Sequence, residues 1–241
     1  MMQSILEFGN SVVRFLHIES LVKPLYHRLF KSKELNKQRT LFINNAHEVL
    51  SYFDHCMRLE RIPYTLAFGT LLGAIREHGF IKHDIDIDTM VWSDNYTESF
   101  PEQLGKYGFR RVHSFLIERG NLGREETYEF MGVQIDIFFI YPPLHDLPYC
   151  CDFLQRDCLT FEACMKKYGS LLPRRIELPF NREITYVQFE SMKLPVPVNA
   201  HEILAYRYGN DYLTPNPNWN VQSYNEHIIE WPEKEGLYVG E

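Results

Sequence analysis

Between residues 84 and 88 the chain reads Asp-Ile-Asp-Ile-Asp, and few five-residue stretches leave a folding chain so little choice. In an extended strand successive side chains point to opposite faces, so Asp84, Asp86 and Asp88 line one face and Ile85 and Ile87 the other. The flanking Phe80, Ile81, Met90 and Val91 put this strand at the margin of an apolar core, where an uncompensated charge is costly. Three like charges so close repel one another unless a cation or a proton intervenes. A divalent ion with oxygen ligands removes that conflict, and Mg²⁺ typically takes one or two carboxylates and completes its shell with substrate phosphates. The stretch therefore points to a metal-dependent centre for phosphate chemistry. A solvated acidic strand at a sheet edge is the plainer alternative. A calcium loop is excluded, because an EF-hand starting at Asp84 needs Gly at position 6 and Glu at position 12, where this chain has Thr89 and Asn95.

The surroundings of the acids set the fold class. Tyr64–Phe68 reads as a strand, Gly69-Thr70 turns the chain into a short helix ending near Gly79, and the aspartate strand follows. That order is the first unit of an α/β sheet. A helix starting at Gly69-Thr70 offers unbonded backbone N–H groups and a positive dipole end, for which phosphate is the expected guest. Upstream, Phe42, Ala46, Val49, Leu50, Phe53 and Met57 fall on one face of a helix over about 34–60, ending before Pro63. Downstream, a helix is expected over 95–107. Two β segments follow, Phe109–Glu118 and Thr127–Tyr141, joined by a turn at Gly120–Gly123. Within the second, Val133–Tyr141 is apolar apart from Gln134 and Asp136. A lone carboxylate in such a strand is expensive, and the metal of Asp86 and Asp88 would account for it. Asp136 is thus a candidate third ligand or general base; capping by neighbouring amides is the alternative.

Residues 150–170 read as a helix carrying Cys150, Cys151, Cys158 and Cys164. A structural Zn²⁺ there would need paired C-x₂₋₄-C knuckles, which this spacing lacks, so buried free thiols are expected instead. Residues 184–196 alternate as a strand or hairpin closing at Pro195 and Pro197, and Asn199-Ala-His-Glu202 opens a helix ending at Gly209 with a capping box. The Pro- and Asn-rich tail from Thr214 reads as irregular and as a cover for the site.

Bulk properties narrow the function classes. At 241 residues with 45% hydrophobic and 24% charged side chains, the chain supports a substantial core. A net charge of −7 argues against a general nucleic-acid binder. Residues 3–30 form an amphipathic helical stretch, broken near Pro24. Residues 1–40 hold seven Lys/Arg against three Glu, net +4, which leaves −11 for the remainder. This segment packs on the domain or a partner, or rests peripherally on an anionic membrane surface such as the inner face of a cell membrane. The opening residues lack a basic n-region, and Glu7, Arg14 and Glu19 interrupt their apolar run. No stretch reaches the length of a membrane span. Five cysteines, an odd number, fit a reducing compartment, so a cytoplasmic location is expected. Residues 1–35 are read as a helical N-terminal segment and 36–241 as one catalytic domain.

With these motifs in place, the chain resembles the LicD/fukutin family. Gly69-Thr-Leu-Leu-Gly-Ala-Ile-Arg76, His78-Gly-Phe-Ile81 and Asp84-Ile-Asp86-Ile-Asp88 are similar to its signature, and Val133-Gln-Ile-Asp136-Ile-Phe138 to its second acidic strand. Phe189–Pro197 followed by Tyr208-Gly-Asn-Asp-Tyr212 is similar to its C-terminal pattern. The resemblance runs from about residue 64 to 213. It implies an α+β fold with an α/β core, a nucleotidyltransferase-like mixed β-sheet flanked by helices, to which the chain's own patterns add N-terminal helices, outside the resemblance, and a helical C-terminal extension. It also implies a phosphotransferase using Mg²⁺ or Mn²⁺ to move phosphocholine or a polyol phosphate from a CDP-linked donor to a glycan or lipid-linked sugar acceptor. By position, Asp86 and Asp88 correspond to the metal-binding pair, Asp136 to the third carboxylate, and Gly69 and Thr70 to the phosphate-contacting turn. Arg76 matches an arginine that neutralises donor phosphate, with a surface pair to Glu77 or Asp84 as the alternative. The family pattern Pro-Trp-Asp-Asp is replaced by Lys82-His83-Asp84-Ile85, which bears on Asp84 and leaves the 86/88 pair intact. Lys82 and His83 either touch donor phosphate or are simply exposed. A D-x-D glycosyltransferase is less consistent, because its nucleotide-binding half would supply several βα units before the motif and only one fits here. Nucleotidyl transfer and a non-catalytic binding module of the same fold are further alternatives, and fold alone does not exclude them.

Overall fold

The computed structural model describes residues 19–216 and 226–241, and residues 19–34 by their helical backbone alone. The readings that fall on residues 3–18 lie outside the described residues. The long helix α1 (Glu19–Leu59) runs on through Pro24 and residues 31–33, so one helix stands where a break near Pro24 was expected. A proline forfeits a single backbone hydrogen bond, a loss a 41-residue helix absorbs. The anticipated core face of α1 is buried, with Phe42, Ala46, Val49, Leu50, Phe53 and Met57 almost solvent-free.

After β1 (Thr65–Leu66) and α2 (Phe68–Arg76) come β2 (Asp86–Trp92), α3 (Phe100–Gly105), β3 (Arg110–Ile117), β4 (Gly123–Phe130) and β5 (Val133–Ile140). The chain continues through β6 (Tyr149–Leu154), α4 (Phe161–Tyr168), β7 (Leu172–Glu177), β8 (Ile184–Phe189), β9 (Met192–Pro197) and α5 (Ala200–Tyr208). It closes with β10 (Ile228–Glu230) and β11 (Gly236–Gly240). The central sheet has the order β1-β2-β5-β4-β3-β11. Among the described residues only β2 and β5 pair in parallel there; the remaining neighbours are antiparallel, giving the mixed sheet of an α+β fold.

Several boundaries differ from the sequence reading. The segment expected as one strand over 127–141 is two, β4 and β5, because Met131 and Gly132 both take positive φ (53° and 77°) and form a two-residue hairpin turn. The helix expected over 150–170 is a strand followed by a short helix, so Cys150 and Cys151 are buried in β6, Cys164 in α4, and Cys158 lies between them. The helix over 95–107 contracts to α3, with Pro101 in its first turn, where a missing N–H costs nothing. Asn199 precedes α5 but caps no backbone N–H; its amide donates to Glu202 Oε2 at 2.8 Å instead. Residues 214–216 are irregular, as their composition suggests; further on β10 pairs with β7 and β11 with β3, so the C-terminal extension ends in strands rather than helix.

The two faces of the central sheet are covered differently. Ile87, Ile135, Ile137 and Phe139 are fully buried on one face, with α3 against Phe139 and Tyr52 of α1 stacked on Phe130. The opposite face carries Asp86, Asp88, Asp136 and Phe138. There Phe68 of α2 meets Phe138 edge-on at 4.7 Å, and Phe153 of β6 stacks on Phe115 at 5.0 Å.

Candidate active site

Strand register brings the acids together. In the parallel β2–β5 pair, Asp88 stands directly beside Asp136 and Asp86 beside Gln134. Adjacent strands lie about 4.8 Å apart, and two carboxylates at ~5 Å repel by about 3 kcal/mol at an effective dielectric near 20. The strand begins at Asp86. Asp84 therefore stands in the preceding loop rather than in the strand, its Oδ2 accepting the Ile81 N–H at 3.1 Å.

The turn between β1 and α2 holds Asp88 from three sides. Ala67 N–H donates to the Asp88 carbonyl at 3.0 Å, Gly69 N–H to Asp88 Oδ2 at 2.9 Å, and the Asp88 N–H to Thr70 Oγ1 at 2.9 Å. Thr70 is itself buried. The N–H of Gly69, expected to face phosphate, is thus spent on the carboxylate. A Cβ at Gly69 would lie 3.1 Å from Asp88 Oδ2, so glycine allows this approach. Phe68 opens the turn at φ +36°, an unfavourable value for a bulky residue, and its ring contact with Phe138 helps hold it there.

Asp136 Oδ1 accepts the hydroxyl hydrogen of Thr127 at 2.5 Å, and the Asp136 carbonyl accepts from Thr89 at 3.1 Å. Thr127 Oγ1 is in turn 3.0 Å from Nε2 of His113. Among the described residues Asp86 makes no side-chain hydrogen bond to another residue, and none of the three acids forms an ion pair. Each is half-buried. Burial raises the pKa of Asp88 well above the usual carboxylate range, with the charges of Asp86 and Asp136 adding to it. Burial, then Asp86, pushes Asp136 up to about 7 against the pull of the Thr127 hydrogen bond. Burial likewise raises Asp86. Asp84 is raised to about 6, chiefly by burial, while Arg76 pulls it down.

A cavity of about 760 Å³ is lined by Phe80, Arg76, Lys82, His83, Tyr208 and Tyr212 together with Thr214–Asn216; Asp86, Asp88 and Asp136 are not in its wall. Tyr208 in its wall is what links it to the acids: after burial, the charges of Asp88 and Asp84 raise the Tyr208 phenol. Of the tail expected to cover the site, residues 214–216 line this cavity, and residues 217–225 lie outside the described residues. Arg76 is mostly enclosed, pairing with Glu77 Oε1 at 2.8 Å and donating to the Tyr212 carbonyl at 3.4 Å. Lys82 and His83 are exposed at the cavity wall, where Arg39 reaches the Lys82 carbonyl and His83 Nδ1. Register therefore gathers Asp86, Asp88 and Asp136 on one face; Gly69 and Thr70 brace Asp88, and Arg76, Lys82 and His83 line the neighbouring cavity.

The donor chemistry suits a hard cation: carboxylate oxygens only, packed together, with their charge left uncompensated by the protein. As they stand, no three His, Cys, Asp or Glu side chains among the described residues are grouped closely enough to hold an ion. A bound ion would therefore draw part of its shell from substrate or water.

Reading the sequence missed Thr127 and His113. Their signal was available, because a two-residue turn at Met131-Gly132 places Thr127 opposite Asp136, and the structure shows that register.

A mixed sheet carrying an aspartate pair beside a strand-to-helix glycine turn, with a third aspartate on the neighbouring parallel strand, is the core of a nucleotidyltransferase-type domain. Residues 61–199 match the family model described as LicD/FKTN/FKRP, nucleotidyltransferase domain, and the chain belongs to that family. Among its relatives, the lipopolysaccharide cholinephosphotransferase LicD of Haemophilus influenzae is 39% identical over 180 residues, covering 68% of this chain and 66% of that protein. The ribitol-5-phosphate transferase FKTN of Mus musculus is 24% identical over 209 residues, 82% of this chain and 41% of the relative. The chain thus spans under half of fukutin and about two thirds of the bacterial transferase. Among the described residues no helix is long and apolar enough to cross a membrane.

Proposed function

We propose that this chain is a metal-dependent phosphotransferase that moves phosphocholine or a polyol phosphate from a CDP-activated donor to a sugar hydroxyl of a surface glycan. The observation that carries the reading is that Asp86, Asp88 and Asp136 share one sheet face with no ion pair among the described residues, while Tyr208, which feels the charge of Asp88, lines a cavity walled by Arg76, Lys82 and His83. Family membership and the activities for which the two relatives are named support the class of reaction.

Asp86 and Asp88 would hold Mg²⁺ or Mn²⁺. When bound, such an ion neutralises charge on the donor diphosphate and on the departing CMP. Asp88 comes to this task already fixed by Gly69 and Thr70, so its orientation costs little at the moment of reaction. Arg76, Lys82 and His83 meet the donor's phosphate charge from the cavity side. Asp136, raised to about 7 by burial and Asp86, accepts the proton of the acceptor hydroxyl as its oxygen bonds to phosphorus and the bond from phosphorus to the CMP oxygen breaks. A base poised near the operating pH contributes on the order of 10²–10⁴ in rate.

Incubation with a panel of CDP-linked donors, a glycan acceptor and Mg²⁺, reading CMP release, tests the proposal and names the transferred group. Metal-dependent release from a CDP-linked choline or polyol is expected. Release of diphosphate from a nucleoside triphosphate with no turnover of any CDP donor would overturn it in favour of nucleotidyl transfer.

A further inference from the structure

We propose that Thr127 and His113 are positioning residues for Asp136, forming a chain in which the His113 Nε2–H donates to the Thr127 hydroxyl and that hydroxyl donates to Asp136 Oδ1. The inference rests on reading Asp136 as the proton acceptor. Three adjacent strands supply one link each: His113 on β3 stands opposite Thr127 on β4, and Thr127 stands opposite Asp136 on β5. The separations are 3.0 Å and 2.5 Å.

The direction of the chain follows from proton accounting. An ionised carboxylate only accepts, so the single hydroxyl hydrogen of Thr127 is committed to Asp136. The contact with His113 is then satisfied only if Nε2 carries the imidazole hydrogen and Thr127 accepts it. Burial lowers the His113 pKa, which favours the neutral ring that such a fixed tautomer requires. The ring is held on its other sides by Phe115 at 4.9 Å and Tyr238 at 5.5 Å between ring centres. Thr127 is almost completely buried, so water is poorly placed to replace its hydroxyl.

The consequence is directional. With Oδ1 engaged by Thr127, and no hydrogen bond to Oδ2 among the described residues, Oδ2 is the oxygen left to receive the acceptor's proton. Fixing a base in this way is worth most when a small misplacement of the reacting groups is costly in rate.

The test is kinetic and spectroscopic. Thr127→Val is expected to lower kcat by about 10–100-fold while leaving the donor KM within about 2-fold, and Thr127→Ser to recover most of the loss. Long-range ¹H–¹⁵N spectra of the wild-type protein should show His113 as the Nε2–H tautomer. Unchanged kcat in Thr127→Val, with Asp136→Asn inactive, would overturn this inference and leave the reading of the site intact. Full turnover in Asp136→Asn would overturn the reading itself. If Thr127→Val does not fold, the wild-type tautomer decides alone: a His113 ring protonated only at Nδ1 contradicts the chain.

Discussion

Both faces of the central sheet bury carboxylates, and they treat them in opposite ways. On the helix-covered face Glu126 is fully enclosed and met from every direction. Arg124 lies at 2.7 Å, Arg111 at 3.4 Å and the Tyr128 hydroxyl at 2.6 Å, with Arg124 itself stacked 3.7 Å over the Tyr96 ring. On the other face Asp86, Asp88 and Asp136 receive between them one backbone N–H and one hydroxyl on their carboxylates, and no cation, among the described residues. Glu126 is a carboxylate the fold has neutralised for itself. The aspartates are held in place with no cation against them among the described residues, and on the function proposed above that charge is left for a metal ion and donor.

The comparison is broken most severely by exchanging the acids. Asp86→Asn or Asp88→Asn should lower CMP release by ~10³-fold, with far-UV circular dichroism unchanged. Glu126→Ala should do the reverse. Leaving Arg124 unpaired in the interior costs about 3–5 kcal/mol, or roughly 10 °C of melting temperature for a chain of this size, and any activity loss should track the unfolding.

The pH dependence sharpens the contrast. Asp84 and Asp136 are raised to about 6 and about 7, chiefly by burial, so the folded state binds protons that the unfolded state has released. The stability this contributes is fully present below the ordinary carboxylate pKa near 4 and is lost as pH rises through 6 to 7. Metal-free protein in EDTA should therefore melt several degrees higher at pH 5 than at pH 8. Asp136→Asn should melt above wild type at pH 8 and show less of this dependence. A melting temperature that climbs from pH 5 to 8 would contradict the account.

The smallest effect is expected at the cavity wall. Arg76→Ala should raise the donor KM by about 10-fold, roughly one charge-assisted contact, with kcat little changed. Equal losses of kcat and stability would instead mark Arg76 as a strut between Glu77 and the Tyr212 carbonyl.

Much of this contrast was legible in the chain, and the part that was not has a definite cause. The aspartate pair, the third acid and the glycine turn could be read because each lies within a local pattern of alternation or turn chemistry. The buried face of α1 was legible for the same reason, since Phe42 to Met57 repeat at helical spacing. The partners of those acids could not be read so directly. Thr127 meets Asp136, and His113 meets Thr127, only through strand register, and one unrecognised turn at Met131-Gly132 hid both. Cys150 and Cys151 were assigned to a helix because an apolar run suits either element. Pairing with β7, a contact between distant residues, settles it as strand. At the C-terminal end β11 finishes the sheet edge beside β3, another pairing between distant residues that no local pattern announces.

The central claim is that Asp86 and Asp88 are left uncompensated in order to take a divalent cation with a nucleoside diphosphate donor. Titrating Mn²⁺ into wild type and Asp88→Asn in the presence of CDP, followed by electron paramagnetic resonance, tests it most directly. The account predicts a bound ion in wild type and affinity weakened at least about 10-fold in Asp88→Asn. Equal Mn²⁺ binding by the two proteins would contradict it.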